Sequence, residues 1–151
     1  MSIKFRLTLI SFMQFFVWGA WLITIGNYWF ATKNWSPVQF GAVFSTLAIS
    51  SIFMPPVIGI IADRWVNAER LYGLLHICYG LSLFFLPQAM DPAAFYTIML
   101  VAMLFYMPTI SMSNAISYTI LKSQSFDVVK VFPPIRVWGT VGFIVAMWIT
   151  N

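Results

Sequence analysis

The chain has 151 residues, of which 61% are hydrophobic and only 8% charged, against roughly 25% charged in ordinary soluble domains. Eight basic and four acidic side chains cannot coat a soluble core of this size, so the bilayer must be the coat and the chain reads as an all-α integral membrane protein. The net charge of +4 does not point to nucleic acid, because the basic residues stand singly between apolar runs and build no patch.

A helix needs about 20 apolar residues to cross the hydrocarbon core. Five segments supply them or nearly so, and the first is read as residues 5–31. It follows Lys4 and Arg6, yet it is too long for the apolar core of a cleavable signal, about 7 to 15 residues, and no small-x-small site closes it. It is therefore expected to stay as a spanning helix. Gln14, Trp18, Trp21, Ile25 and Tyr28 recur in it at spacings of three and four, so an amide and flat rings share a face that suits a cavity wall. The alternative is that Trp21 and Tyr28 only pack, with Tyr28 in the outer aromatic belt. Gly19 and Gly26, seven apart, mark a close-packing seam.

"KNWSP" follows, with Ser36 as a cap before Pro37, and opens a second span over 38–61 that Pro55 and Pro56 are expected to kink. "DRWVNAER" leads to a third span over 71–89. There Gly73 and Gly80 repeat the seven-residue seam, while Tyr72, His76 and Tyr79 share a face. His76, the only histidine, either titrates or is a neutral, hydrogen-bonded packing residue. Cys78 is the only cysteine, so no intrachain disulfide is possible. After "MDP" the fourth span, 93–121, carries Pro108 followed by Ser111, Ser113, Asn114 and Ser117. That cluster reads as glue for carbonyls freed by the proline, or as substrate contact. The long linker "KSQSFDVVKVFPP" precedes a fifth span over 133–151.

With the N-terminus inside, the cytoplasmic side collects Lys4, Arg6, Arg64, Arg70, Lys122 and Lys130 and leaves Lys33 outside, as the positive-inside rule requires. The fifth span has reached only "MWITN" where the chain stops, and no charged or aromatic anchor follows. The chain is therefore expected to be part of a longer polytopic protein, truncated in its fifth helix; a complete five-helix protein is the alternative. Asp63, Glu69, Asp91 and Asp127 all fall in linkers. A proton-coupled machine usually needs an acid inside the membrane, so any such acid is expected outside these residues.

Arg136 is the remaining charge. At a helix centre an arginine costs about 2.5 to 3.5 kcal/mol on insertion scales. If the fifth helix starts at Pro133, however, the side chain is only about 4.5 Å in and could snorkel to the headgroups. Two details favour a cavity role. Arg136, Thr140, Phe143 and Met147 fall on one face, joining a fork-shaped donor, a hydroxyl and a ring. Gly139 and Gly142 flank that row and let another helix approach.

"SFMQFFVWGAWLITIGNYWF", "FMPPVIGIIADRW", "YMPTISMSNAISY" and "FPPIRVWGTVGFIVAMW" together resemble the major facilitator superfamily, and more closely its bacterial nucleoside:proton symporter family, essentially from end to end. Gly59, Asp63, Arg64 and Arg70 are similar to the superfamily's G-x-x-x-D-[RK] gate-loop signature, with Val66 in place of the usual second glycine and Glu69 interrupting the basic cluster. The resemblance implies twelve helices in two six-helix halves, with residues 1–151 forming part of the N-terminal half. It implies that Arg136, Thr140 and Phe143 contact the nucleoside and that the coupling acid lies in the second half; from the stripe in the first span, Gln14 and Trp18 are expected to help line the cavity.

The expected function is secondary active import of nucleosides with protons by alternating access, in the bacterial inner membrane. It would involve no covalent chemistry and no metal, and the proton would be the coupling ion in place of any cofactor. The partners would be the nucleoside, the bilayer and the C-terminal half of the same polypeptide. The rivals are a proton-coupled transporter of sugars or other small polar solutes, and a non-transporting, truncated membrane or scaffold protein. These 151 residues alone are not expected to transport.

Overall fold

The computed structural model describes residues 2–150. Six α-helices carry nearly all of the described chain: α1 (Ile3–Leu22), α2 (Thr24–Asn27), α3 (Pro37–Arg64), α4 (Ala68–Phe85), α5 (Pro92–Ser123) and α6 (Val128–Thr150). A π-helical turn (Tyr28–Thr32) extends α2 and a 3-10 turn (Leu86–Gln88) extends α4. Five stretches are long and apolar enough to cross a membrane: Ile3–Thr32, Pro37–Arg64, Ala68–Gln88, Pro92–Ser123 and Val128–Thr150. The chain is a multi-pass membrane protein. Large apolar side chains such as Phe53, Phe84, Ile77 and Trp148 are exposed, as helices bathed in lipid require.

The starts of the helices follow from side-chain caps. Ser2 accepts from the Phe5 amide at 3.3 Å. Ser36, before Pro37 as the sequence leads one to expect, accepts from Val38 at 3.3 Å. Asn67 takes the amides of Glu69 and Arg70, and Asp91 those of Ala93 and Ala94 at 2.9 Å each. Asp127 accepts from Val129 at 3.1 Å and Lys130 at 3.4 Å. Each cap satisfies amide donors that no helical carbonyl reaches.

The Asp127 cap changes one sequence expectation. The fifth span starts at Val128, five residues before Pro133. Pro133 and Pro134 thus lie inside α6, as Pro55 and Pro56 lie inside α3 and Pro108 inside α5, and all three helices run through them. Asp63 and Arg64 likewise belong to the last turn of α3, and Glu69 and Arg70 to the first turn of α4, rather than to a loop.

The chain clusters into two compact units, Met1–Lys33 with Ser113–Asn151, and Asn34–Met112. In the first, α1 and α6 run side by side over most of their lengths. Leu7, Leu121 and Ile135 form its buried core, flanked by Ile10, Phe126, Val131 and Phe132. The Lys4 ammonium lies 4.7 Å from the Phe126 ring centroid. Past Leu22 the first span loosens, and the Thr24 hydroxyl donates to the carbonyls of Ala20 (3.3 Å) and Trp21 (3.2 Å).

In the second unit, α5 buries Phe95, Met99, Met103 and Tyr106, while α4 buries Leu71, Leu75 and Tyr79. Tyr79 and Tyr106 pack with ring centroids 4.7 Å apart, and His76 meets the edge of Tyr106 at 6.4 Å. The His76 Nδ1–H donates to the Tyr72 carbonyl at 3.0 Å, an arrangement that suits the packing alternative for this histidine. At Gly73 and Gly80, which the spacing marks as a seam, no described residue packs, and a Cβ at either would meet nothing within 4 Å among them. Seven-residue spacing places two glycines on one face but does not bring a neighbour to it.

Candidate functional site

The seam between α1 and α6 is built from small residues. A Cβ at Gly19 would come within 2.6 Å of the Phe143 carbonyl oxygen, and one at Gly142 would strike the Phe12 carbonyl. Backbones this close associate by dispersion and Cα–H···O contacts, which is how helices hold together where lipid supplies no hydrophobic drive. The expectation that Gly139 and Gly142 admit another helix is met, and the helix is α1.

This seam divides α6 into two faces. Ile135, Gly139, Gly142 and Ala146 are buried against α1, while Arg136, Phe143 and Met147 are half-buried and Thr140 is exposed. With α6 beginning at Val128, Arg136 sits eight residues in, about 12 Å along the axis. That depth is beyond the first turn, where snorkelling is simplest.

The guanidinium does not stretch along α6 toward its start. Its Cζ lies 4.0 Å from the centroid of the Phe15 ring on α1, a cation–π contact. Such contacts are worth about 0.5–1 kcal/mol exposed and about 2 kcal/mol desolvated, so this one offsets much of the 2.5–3.5 kcal/mol insertion cost but not all. Arg136 also lines a groove of about 480 Å³ together with Phe132, Pro133, Val137 and Thr140. Small-molecule sites commonly measure about 300–1,000 Å³. The Ser11 hydroxyl adds a long hydrogen bond, 3.4 Å, to the Arg136 carbonyl.

Among the residues singled out in the sequence, Arg136 and Thr140 share this groove. Phe143, one turn beyond Thr140, meets Trp18 edge-on with centroids 6.1 Å apart, and Trp18 in turn packs on Phe15 at 6.2 Å. Arg136, Phe15, Trp18 and Phe143 thus form one chain of contacts. Gln14 is only 1% exposed and does not line the groove. Phe15 is the residue that sequence reasoning missed. Its signal is its place four residues after Ser11 and four before Gly19, on the face that meets α6.

Gly59, Asp63, Arg64 and Arg70 belong to the other unit. A Cβ at Gly59 would meet nothing within 4 Å, and Asp63, Arg64 and Arg70 are exposed and form no ion pair among the described residues. The polar cluster of α5 is mostly turned on its own helix. Thr109 donates to Tyr106 O at 2.6 Å, Ser111 to Pro108 O at 2.9 Å and Ser117 to Ser113 O at 2.7 Å. These bonds are made within α5, and none of them goes to the Leu104 carbonyl that Pro108 leaves without its helical donor.

Residues 1–151 match the family model described as "Nucleoside H+ symporter". The chain is 42% identical over 151 residues to the nucleoside permease NupG of Escherichia coli strain K12, covering 100% of this chain and 36% of that one. It is 48% identical over 149 residues to the xanthosine permease of the same organism, covering 98% and 35%. A crystal structure of the nucleoside transporter NupG superposes with a TM-score of 0.94 at 43% identity, over 99% of this chain and 37% of that chain. The chain thus spans a little over one third of the length of the curated relatives it matches.

Proposed function

The chain belongs to the nucleoside H+ symporter family, and from that premise we propose that the whole protein imports nucleosides together with protons by alternating access. The observation that carries the reading is the guanidinium of Arg136, seated over Phe15 at depth in α6 and lining a groove with Thr140. A fixed charge held there has in-plane N–H donors for the hydroxyl or carbonyl oxygens of a nucleoside. The Thr140 hydroxyl adds a donor and acceptor beside it. Phe143, braced by Trp18, offers a ring face to the base.

Transport of this kind makes and breaks no covalent bond. The proton is the coupling ion, and its acceptor belongs to the part of the protein outside this sequence, since the acids here cap or end helices. The N-terminus faces the cytoplasm of a bacterial inner membrane, and Gly59, Asp63, Arg64 and Arg70 form the gate at that side. The partners are the nucleoside, the bilayer and the second half of the same polypeptide. A nucleoside is favoured over a sugar by the match to the nucleoside H+ symporter family along residues 1–151.

The test is uptake of labelled uridine and xanthosine by cells carrying the complete reading frame. Nucleosides should compete and sugars should not, and a protonophore should abolish accumulation. Competition by sugars with none by nucleosides would reverse the substrate assignment.

A further inference from the structure

We infer that Phe15 and Gly139 together form a seat that holds Arg136 in the substrate groove, which makes Phe15 a positioning residue for nucleoside binding; the inference rests on the functional reading above. Three observations meet at this point. The guanidinium sits over Phe15 with Cζ 4.0 Å from the ring centroid. Position 139 has no room for a side chain, since a Cβ would lie 2.7 Å from Phe15 Cδ2 and 2.8 Å from Arg136 Nη1. Ser11, one turn before Phe15, hydrogen-bonds the Arg136 carbonyl and ties the backbone of that residue to α1.

An arginine side chain on a membrane helix has two resting places, along the helix toward the headgroups or across it into the protein. Here the ring supplies the attraction across the helix, and the missing Cβ supplies the space through which the guanidinium reaches it. With the guanidinium carbon held over the ring, the N–H donors directed away from Phe15 can serve the groove that Arg136 lines with Thr140. The substrate then meets Arg136 through acceptor oxygens placed on those donors.

The experiment uses the complete protein, purified in detergent, with equilibrium binding of labelled uridine and thermal melting measured on each variant. Phe15→Tyr and Phe15→Trp keep a ring and should bind within about twofold of the unaltered protein. Phe15→Leu keeps an apolar side chain without the ring and should weaken binding roughly tenfold, the worth of a partly desolvated cation–π contact. Gly139→Ala should weaken it in parallel. In an Arg136→Ala background, Phe15→Leu should cause no further loss.

Wild-type affinity in Phe15→Leu, or equal losses in the Leu, Tyr and Trp variants, would overturn the seat. If Phe15→Leu yields no folded protein, the decision passes to Gly139→Ala and the Tyr and Trp variants, and an Ala variant that folds and binds normally also overturns it. Arg136→Ala separates the two readings. Should it bind uridine like the unaltered protein, the functional assignment fails; should it lose binding while Phe15→Leu keeps it, the seat alone fails.

Discussion

Gly142 and Phe12 meet backbone to backbone, so that a β-carbon on Gly142 would collide with the Phe12 carbonyl. Because the obstacle is main chain and not a side chain that can swing away, Gly142→Ala must push α1 and α6 apart. It is expected to cost about 1–3 kcal/mol or to abolish folding. Gly73→Ala and Gly80→Ala, where the new methyl meets nothing within 4 Å among the described residues, should leave stability unchanged or raise it by about 0.5–1 kcal/mol through lost chain entropy. Melting of the complete protein in detergent checks both; equal losses at positions 73 and 142 would show that the seam is not special.

The seam also shows what can be read from this sequence. Five spans are legible because each keeps about 20 apolar residues between polar punctuation. The row Arg136, Thr140 and Phe143 is legible because helical spacing places it on one face whatever the helix start. The start itself is not. Pro133 looks like a first-turn proline, whereas Asp127, an N-cap residue just before "VVK", sets the true beginning. Gly19 and Gly73 look alike in sequence, since periodicity names a face and only tertiary packing names its neighbour. Phe15 was hidden for the same reason, as nothing local in "FMQFF" indicates that its ring will lie under an arginine on another helix.

Arg136→Lys keeps the charge and loses the planar fork. If the N–H edge of the guanidinium binds substrate oxygens, nucleoside uptake should fall about 10- to 100-fold, the worth of a hydrogen bond to a charged group, and Arg136→Ala should fall at least as far. Expression and membrane insertion, followed by immunoblot, should stay within about twofold because the side chain lies in a groove and not in the core. Initial uptake rates across uridine concentrations provide the measurement. A lysine variant with unchanged KM and maximal rate would show that only charge matters there.

Phe143→Leu removes a ring that Trp18 braces edge-on and that, under the proposed function, stacks on the base. Aromatic pairs contribute about 0.5–1.5 kcal/mol beyond their area, so apparent affinity should drop about 2- to 12-fold. Trp18→Phe retains a ring against Phe143 and should lose less. The order Leu at 143 worse than Phe at 18 is read from KM values, and the reverse order would remove Phe143 from the base-binding role.

Asp127→Ala leaves the amides of Val129 and Lys130 without their acceptor, which should cost about 1 kcal/mol; Asp127→Asn, still a good cap, should cost less. Melting temperatures of the two variants decide the point. Equal losses for Asn and Ala would mean that the 3.5 Å ion pair with Lys130, exposed on both sides and lost in both variants, outweighs the cap.

The position of the Arg136 side chain in the intact transporter is the most direct test of all, read from a structure of the complete protein in lipid nanodiscs with uridine bound. The expected result is a guanidinium edge within about 3 Å of a nucleoside oxygen, with the Phe15 ring behind it and Thr140 and Phe143 lining the same water-filled space. A guanidinium among lipid phosphates, with Thr140 and Phe143 turned to acyl chains and uridine bound elsewhere, would contradict it.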